Sequence, residues 1–157
     1  MALDGISYTN DDERYMLLAL EEAKKAAAED EVPVGAVIVK DGEVIAREHN
    51  RIEKSGLSSA HAELIAIDKA EKVLDSKWLT GATMYVTLEP CSMCAGAMVL
   101  ARIDRLVIGA SDPKTGACGS VFNIAGGDSL NHKIEIERGV LEDECSTILK
   151  EFFRSRR

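Results

Sequence analysis

The segment MYVTLEPCSMCAGAMVL, residues 84–100, joins a strand to a helix with almost no chain between them. Its first five residues are rich in strand formers, and Pro90 ends the strand because proline cannot donate to a ladder. The pattern predicts a helix over 92–101 that is apolar on nearly all sides, and such a helix is expected to be buried. Cys91 and Cys94 stand at its start. A strand that passes directly into a helix is typical of α/β proteins.

Helical and strand patterns alternate along the rest of the chain. They predict further helices over 10–28, 60–73 and 142–153, and further strands over 32–40, 43–48, 105–110 and 133–138. Asp41-Gly42, between the strands over 32–40 and 43–48, is a strong signal for a two-residue hairpin and therefore for antiparallel pairing. The later strand–helix–strand units predict parallel strands with right-handed crossovers. We therefore expect an α/β layered fold with a mixed sheet of five strands.

Two connections lack a regular pattern. Residues 47–59 are polar and predict a surface loop, whereas residues 112–131 form a long, glycine-rich connection. Loops of that length in a compact domain are usually functional. No internal repeat, low-complexity tract or linker interrupts the chain, so we expect one domain over residues 1–157.

Charge and hydropathy narrow the class of protein. The chain has 19 Lys and Arg against 27 Asp and Glu, and its net charge of −8 argues weakly against nucleic-acid binding, since phosphate contacts need cations. Lys150, Arg154, Arg156 and Arg157 nevertheless make a basic C-terminal end, although a solvated helix end explains them equally well. No apolar run approaches the roughly 18 residues of a membrane span, and the N-terminal residues lack the pattern of a secretory signal. We expect a soluble, cytoplasmic protein.

Three side chains have the spacing of a metal site. His61 begins the helix over 60–73, and Cys91 and Cys94 begin the helix over 92–101. Two thiols three residues apart reach one point over the first helical turn, where the helix dipole and free backbone N–H groups favour thiolates. A Cys₂His set leaves the fourth tetrahedral position open, which is typical of catalytic rather than structural zinc.

The other candidate ligands are isolated. Cys118 and Cys145 belong to no CxxC pair, and His49 and His132 stand alone. We expect the two cysteines to be buried or free thiols, because a disulfide framework is typical of short secreted chains. A fourth ligand from either cysteine would instead indicate a structural zinc protein.

Glu63 follows His61 by two residues, so its carboxylate is expected beside the metal rather than on it. There it could take a proton from a metal-activated water and pass it on. The alternative is an acid in the first turn of a helix, stabilised by the dipole. The pairing of His-x-Glu with Pro-Cys-x-x-Cys favours catalysis, because that combination is the signature of zinc-dependent base deaminases.

Beyond these motifs, the chain resembles the cytidine-deaminase superfamily and, more closely, the bacterial tRNA-specific adenosine deaminases, from about Tyr15 to Arg157. The segments that carry the resemblance are EVPVGAVIV at 31–39, Asn50, HAE at 61–63, YVTLEPCSMCAGAM at 85–98, DPKTGACGS at 112–120, NH at 131–132 and EFFRSRR at 151–157. The loop at 112–120 and the tail are more specific to the tRNA enzymes than the metal motifs are.

The resemblance implies a three-layer α-β-α fold of the cytidine-deaminase type around a five-stranded mixed sheet. It also implies a homodimer that hydrolyses the wobble adenosine of a tRNA anticodon to inosine and releases ammonia, with one zinc per chain. By match of motif, the zinc ligands would be His61, Cys91 and Cys94, the proton shuttle Glu63, and the base-pocket residues Asn50, Val32, Val34 and Ala62. Asp112, Lys114 and Thr115 would lie near the RNA and the dimer contact, and Phe152, Phe153 and Arg154 would meet the anticodon loop.

Ordinary structural roles remain open for several of these residues. Val32 and Val34 could be core strand residues, Asn50 could cap a turn, and the two phenylalanines of the tail could simply pack. One departure from the family lies in the loop before HAE, where Leu57-Ser58 stands in place of the usual Asp-Pro. It leaves the metal motif intact and bears on the shape of the loop beside the substrate.

Two other functions compete with the tRNA enzyme. One is a deaminase of free guanine or cytosine, against which the KTGA loop and the FFR tail argue. The other is a non-catalytic zinc subunit that only binds RNA or a partner, and Glu63 argues against it because a dead subunit has no need of a proton shuttle.

Overall fold

The computed structural model describes residues 10–156, so Arg157 of the predicted basic end lies outside the described residues. Its elements are α1 Asn10–Ala28, β1 Gly35–Lys40, β2 Glu43–His49, α2 Ile52–Ser55, α3 Ala62–Leu74, β3 Thr83–Leu88, α4 Ser92–Leu100, β4 Arg105–Ala110, β5 Glu135–Arg138 and α5 Glu142–Arg154. The five strands form one sheet in the order β2-β1-β3-β4-β5. β1 pairs antiparallel with β2 and β3, whereas β4 pairs parallel with β3 and β5, which confirms the predicted mixed sheet.

The hairpin between β1 and β2 is the one that the sequence predicts. Asp41 and Gly42 have φ of 52° and 77°. Positive φ at both central residues is the requirement of a type I′ turn, whose twist suits antiparallel strands. Pro90 follows the end of β3, and α4 begins at Ser92, so the strand-to-helix passage is also as predicted.

Helices cover both faces of the sheet, which gives the three layers. On one face, Ala66 of α3 and Met98 of α4 pack with Ile38 of β1 in one apolar cluster. On the other face, Met16 of α1 and Cys145 of α5 belong to a second cluster. The central strands β1, β3 and β4 are buried on both sides, and they have the nearly continuous apolar sequence expected of a covered sheet.

α1 approaches the start of β1 very closely. A Cβ atom at Gly35 would overlap the backbone carbonyl of Ala19 and lie 2.8 Å from the backbone nitrogen of Ala23. Glycine is therefore required at residue 35 for this spacing between helix and strand.

The structure corrects the predicted strand and loop boundaries. The first strand begins at Gly35 rather than residue 32, and the predicted loop over 47–59 contains the end of β2 and the short helix α2. Buried Glu31 accounts for α2, because its carboxylate accepts the backbone N–H groups of Glu53 and Lys54 at 3.0 and 2.8 Å. A carboxylate in that position stabilises a helix start that the polar sequence alone does not indicate.

The prediction that the helix over 92–101 is buried is wrong for one of its faces. Cys94, Ala95 and Met98 are buried, but Met93 is 40% exposed and Leu100 is 80% exposed. Separately, none of the helices described for residues 10–156 combines the length and the apolar character that a bilayer crossing needs.

Candidate active site

The predicted metal ligands lie where two helices begin. His61 is the N-cap residue of α3 and Cys91 is the N-cap residue of α4, both with extended backbone, and Cys94 lies in the first turn of α4. β3 and α4 are separated by only three residues, so Cys91 stands at the carboxyl end of a central strand. In open α/β sheets, bound molecules lie in the crevice outside the carboxyl ends of the strands, which is the position that Cys91 occupies.

The three ligand atoms form a compact triangle. His61 Nδ1 lies 3.7 Å from Cys91 Sγ and 3.5 Å from Cys94 Sγ, and all three atoms lie within 4.8 Å of one another. Zn–S bonds of about 2.3 Å and Zn–N bonds of about 2.0 Å in a tetrahedron give ligand separations of roughly 3.5–3.8 Å. This donor set therefore fits a zinc ion that has three protein ligands and one open position.

The two thiols are electrostatically coupled. The pKa of Cys91 is lowered to about 5, chiefly because the Cys94 thiol donates to it, with help from the backbone N–H groups of Cys94 and Met93. The same hydrogen bond, together with burial, raises the pKa of Cys94. A cation that replaced the shared proton would hold both sulfurs as thiolates, the form that binds metal.

Glu63 lies beside this triangle and is 4% exposed. Burial raises its pKa to about 7, against the lowering effects of its own backbone N–H and of the His61 side chain. A carboxyl group with a pKa near neutrality can both accept and return a proton.

A cavity of about 210 Å³ opens over these groups. The residues that line it are Val32, Val34, Asn50, Ile52, His61, Glu63, Leu88, Glu89, Cys91, Asp112 and Thr115. Of the residues predicted near the substrate, the cavity wall contains Val32, Val34, Asn50, Asp112 and Thr115, and Ile52, Leu88 and Glu89 are additions from the structure.

Asn50 connects three segments of the wall. Its Oδ1 accepts the N–H of Ala62 at 2.8 Å, and its Nδ2 donates to the carbonyl of Val32 at 3.2 Å. Asn50 thus joins the start of α3, next to the metal ligand His61, to the segment that carries Val32. The amide still has one N–H and one lone pair for a bound molecule.

Other predicted substrate-binding residues do not line the cavity. Ala62 is fully buried, and Lys114 is exposed on the loop that follows Asp112. Phe153 and Arg154 line a separate surface pocket with Leu149 and Lys150.

The two tail phenylalanines have different environments. Phe152 is buried, and the Arg156 guanidinium lies 3.6 Å from its ring centre, so packing occupies this ring. Phe153 is 49% exposed. Only the second of the two rings therefore offers a face for stacking on a base.

Sequence reasoning gave no role to Glu89, which the structure places at the cavity wall with 3% exposure. Burial opposes its ionisation, but the Ser120 hydroxyl and the backbone N–H groups of Asp112 and Cys118 lower its pKa to about 2. The sequence feature that could have identified Glu89 is its position, because it directly precedes Pro90-Cys91 and so places an acid next to a metal ligand. Its bonding partners are 23 to 49 residues away in the chain, however.

The other cysteines and histidines do not join the ligand triangle. Cys118 and Cys145 are buried free thiols, as expected, and burial raises the pKa of each to about 12. His49 lies 2.9 Å from Glu22, and His132 lies 2.7 Å from the carbonyl of Ile103. Within residues 10–156, His61, Cys91 and Cys94 make up the one cluster of such side chains suited to a metal ion.

Comparison with known proteins agrees with this geometry. A model of the MafB19-like deaminases matches residues 10–157. The tRNA-specific adenosine deaminase of Bacillus subtilis (strain 168) is 53% identical over 146 residues, which cover 93% of this chain and 91% of that protein. The chain belongs to the family of tRNA-specific adenosine deaminases.

Two solved structures show how widely this fold is used. One comes from studies of A-to-I editing by tRNA:A34 deaminases at the wobble position of transfer RNA, and it has a TM-score of 0.83 and 46% identity over 87% of this chain and 99% of that chain. The other is a guanine deaminase from Nitrosomonas europaea, with a TM-score of 0.80 and 26% identity over 94% of this chain and 86% of that chain. The fold alone therefore does not select the substrate.

Proposed function

We propose that this chain hydrolyses the wobble adenosine of a tRNA anticodon to inosine and releases ammonia, with one zinc ion held by His61, Cys91 and Cys94. The observation that carries the proposal is that three ligand atoms lie within 4.8 Å of one another, and that two of these ligands, His61 and Cys91, line one cavity with the buried carboxyl group of Glu63. Membership of the tRNA-specific adenosine deaminase family supports the choice of substrate.

Zinc in this site would supply a hydrolytic nucleophile from water at neutral pH. His61, Cys91 and Cys94 would hold the ion at the starts of α3 and α4, and both helices are fixed because they pack in the core. The lowered pKa of Cys91 favours the thiolate form that the metal requires.

Glu63 is proposed to move the protons. In the overall reaction a C–O bond forms at C6 of the purine, the bond from C6 to the exocyclic nitrogen breaks, and water is consumed as ammonia leaves. Glu63 accepts the proton that water gives up and delivers it to the departing nitrogen. A pKa of about 7 suits a group that must hold the proton between these two steps.

The cavity suits one base that has left its stack. Its volume of about 210 Å³ is below the roughly 300 Å³ at which pockets for drug-sized ligands begin. Val32 and Val34 offer apolar contacts for the ring, and the remaining donor and acceptor of Asn50 suit a polar base edge. An anticodon loop presents an adenine that is already unpaired, so extrusion costs little there.

RNA binding is proposed to use local cations on an acidic protein. Lys150 and Arg154 lie with Phe153 around one surface pocket at the end of α5, and Lys114 is exposed beside the cavity wall. A base stacked on an aromatic side chain contributes about 1–3 kcal/mol. Phe153 can provide that face, whereas the buried ring of Phe152 supports the end of the helix. The tRNA substrate also accounts for the cytoplasmic location expected from the sequence.

A homodimer is proposed through the exposed face of α4. Met93 and Leu100 lie there with Trp78 and Leu130 around a surface hollow of about 700 Å³. An exposed apolar patch of this kind is typical of a protein interface. The same helix carries Cys91 and Cys94 at its start, so an interface on its exposed face would stabilise the helix that holds these two metal ligands.

Inosine formation tests the proposal directly. The purified protein is incubated with an ACG anticodon stem-loop and, in parallel, with free adenine, guanine and cytosine. We expect inosine in the RNA and no turnover of the free bases. Turnover of a free base without inosine in the RNA would favour the free-base deaminase, and no turnover of any substrate by the zinc-loaded protein would favour a binding module.

A further inference from the structure

The buried carboxylate of Glu89 is the centre of a hydrogen-bond network behind the cavity wall. Its Oε1 accepts the N–H of Asp112 at 3.1 Å and the Ser120 hydroxyl at 2.5 Å. Its Oε2 accepts the N–H groups of Cys118 at 3.0 Å and Ser120 at 3.1 Å. The side chain itself has no solvent exposure. One carboxylate therefore holds both ends of residues 111–120, which we call the site loop.

Arg138, at the end of β5, closes the same network from the other side. Its Nη2 donates to Glu89 Oε1 at 2.8 Å and to the Ser111 hydroxyl at 2.9 Å, and its Nη1 donates to the carbonyl of Cys118 at 2.6 Å. Arg138 thus joins the edge strand, the buried carboxylate and both ends of the site loop through one rigid guanidinium group.

The network has a direct consequence for the cavity, because the site loop forms part of its wall. Asp112 and Thr115 line the cavity. The Asp112 carboxylate accepts the N–H of Thr115 at 3.1 Å and its hydroxyl at 2.8 Å, so the two residues are held together. That unit is fixed to the strand end by the bond from the Asp112 N–H to Glu89.

The metal-binding part of the site is held differently. His61, Cys91 and Cys94 belong to α3 and α4, which are fixed by the apolar core on one face of the sheet. Loss of Arg138 would leave the charge of Glu89 buried with one partner fewer, and removal of one partner of a buried pair is destabilising. The strain would fall on the site loop rather than on the metal ligands.

We propose that Arg138, acting through Glu89, is a positioning residue that sets the site loop against the bound substrate and thereby determines substrate affinity. The chemical step is left to the metal site and Glu63. This inference rests on the proposed function for its kinetic part, and it makes a separate structural claim about the backbone of the site loop.

Arg138→Met tests the proposal, because it removes the guanidinium group and keeps most of the side-chain length. Lys133→Met is the matched control: Lys133 precedes the same strand, lines the same surface hollow as Arg138 and pairs with exposed Asp128. KM and kcat are measured with an ACG anticodon stem-loop, together with the melting temperature, zinc per chain and amide hydrogen exchange over residues 111–120. Arg138→Lys is included because it restores the charge without the forked contacts.

For Arg138→Met we expect KM about tenfold higher, the equivalent of one weakened polar contact, while kcat and zinc content stay near those of the unaltered protein. Amide hydrogen exchange at Asp112, Cys118 and Ser120 should be faster in Arg138→Met than in the unaltered protein. Lys133→Met should change neither KM nor the exchange rates. Arg138→Lys should have a KM between those of Arg138→Met and the unaltered protein. A lower melting temperature with KM unchanged would show a purely structural role and would overturn the proposal. A loss of zinc, or a fall in kcat as large as the expected tenfold change in KM, would also overturn it. If the unaltered protein makes no inosine, the proposed function fails, and unchanged exchange in Arg138→Met then overturns the positioning role independently.

Discussion

Glu22 and Glu63 are buried to the same extent, each 4% exposed, yet their environments have opposite effects. Glu22, on α1, accepts from Lys25, Arg47 and His49 at 2.9 Å each. Although burial opposes ionisation, these partners lower the pKa of Glu22 to about 2. At Glu63 burial outweighs the hydrogen bonds, and the pKa rises to about 7. Burial alone therefore does not identify a reactive carboxyl group; the partners decide it.

The two acids also lie on helices that cover opposite faces of the sheet. Glu22 ties α1 to the end of β2 through Arg47 and His49, and nothing in that cluster opens to the cavity. Glu63 lines the cavity at the start of α3. We interpret the first as an acid that stabilises the fold and the second as an acid that reacts, and the following predictions test this distinction in order of expected effect.

Removal of the metal ligands should have the largest effect. In the double variant Cys91→Ser, Cys94→Ser, one histidine remains, which cannot hold zinc alone, so we expect no bound zinc and no detectable inosine. Elemental analysis measures the metal. Cys145→Ala, which removes a buried thiol on the other face of the sheet, should keep one zinc per chain. A fully loaded double variant would refute the ligand assignment.

Glu63→Gln should lower kcat by about 10²–10⁴-fold, because the amide cannot accept and return a proton. Zinc content and RNA affinity should stay near those of the unaltered protein. The free energy of unfolding should not fall, since the substitution removes a carboxyl group that burial disfavours in its charged form. Kinetic assays measure kcat, and urea unfolding measures the free energy of unfolding. A kcat near that of the unaltered protein would show that the proton takes another route.

Glu22→Gln should give the reverse result. We expect the free energy of unfolding at pH 7 to fall by about 2 kcal/mol, because hydrogen bonds to charged partners are lost in a buried cluster. Inosine formation should stay close to that of the unaltered protein. Glu21→Gln, which changes an exposed neighbour paired with the same arginine, is the control and should shift stability by less than about 0.5 kcal/mol. If Glu22→Gln impaired turnover and spared stability, the distinction between the two acids would be lost.

The smallest effect concerns pH. The pKa of Glu22 is lowered from 4.5 to about 2, so its stabilising contribution is complete above pH 4.5 and disappears as the pH falls toward 2. The difference in unfolding free energy between the unaltered protein and Glu22→Gln should therefore be constant from neutral pH to about 5 and then shrink below pH 4.5. Urea titrations at a series of pH values measure it. A difference that persists unchanged at low pH would contradict the ionic role of Glu22.

Much of the fold follows from local patterns. The hairpin at Asp41-Gly42 and the passage from β3 into α4 depend on neighbouring residues, and both were predictable for that reason. The meeting of His61 with the two cysteines was also predictable, because each ligand begins a helix and the motif is a known one. α2 was missed because its start is stabilised by Glu31, which lies more than twenty residues earlier.

The support of the cavity could not be predicted in the same way. Arg138 reaches Glu89 across 49 residues, through a strand whose sequence looks like an ordinary exposed edge. Likewise, Phe152 and Phe153 are adjacent, yet the first ring is buried and the second is 49% exposed. Contacts between distant segments depend on how the layers pack in three dimensions, and the pattern of residues along the chain does not specify that packing.

The close approach of α1 to Gly35 matters for anyone who would evolve this chain toward new substrates. Gly35 adjoins Val34 of the cavity wall on one side, and a Cβ there would lie 2.9 Å from the Cβ of Glu22 on the other. A single added methyl group would therefore disturb a stabilising cluster and the shape of the pocket together. Variant libraries aimed at the pocket should therefore keep residue 35 fixed, because losses there would reflect misfolding rather than altered selectivity.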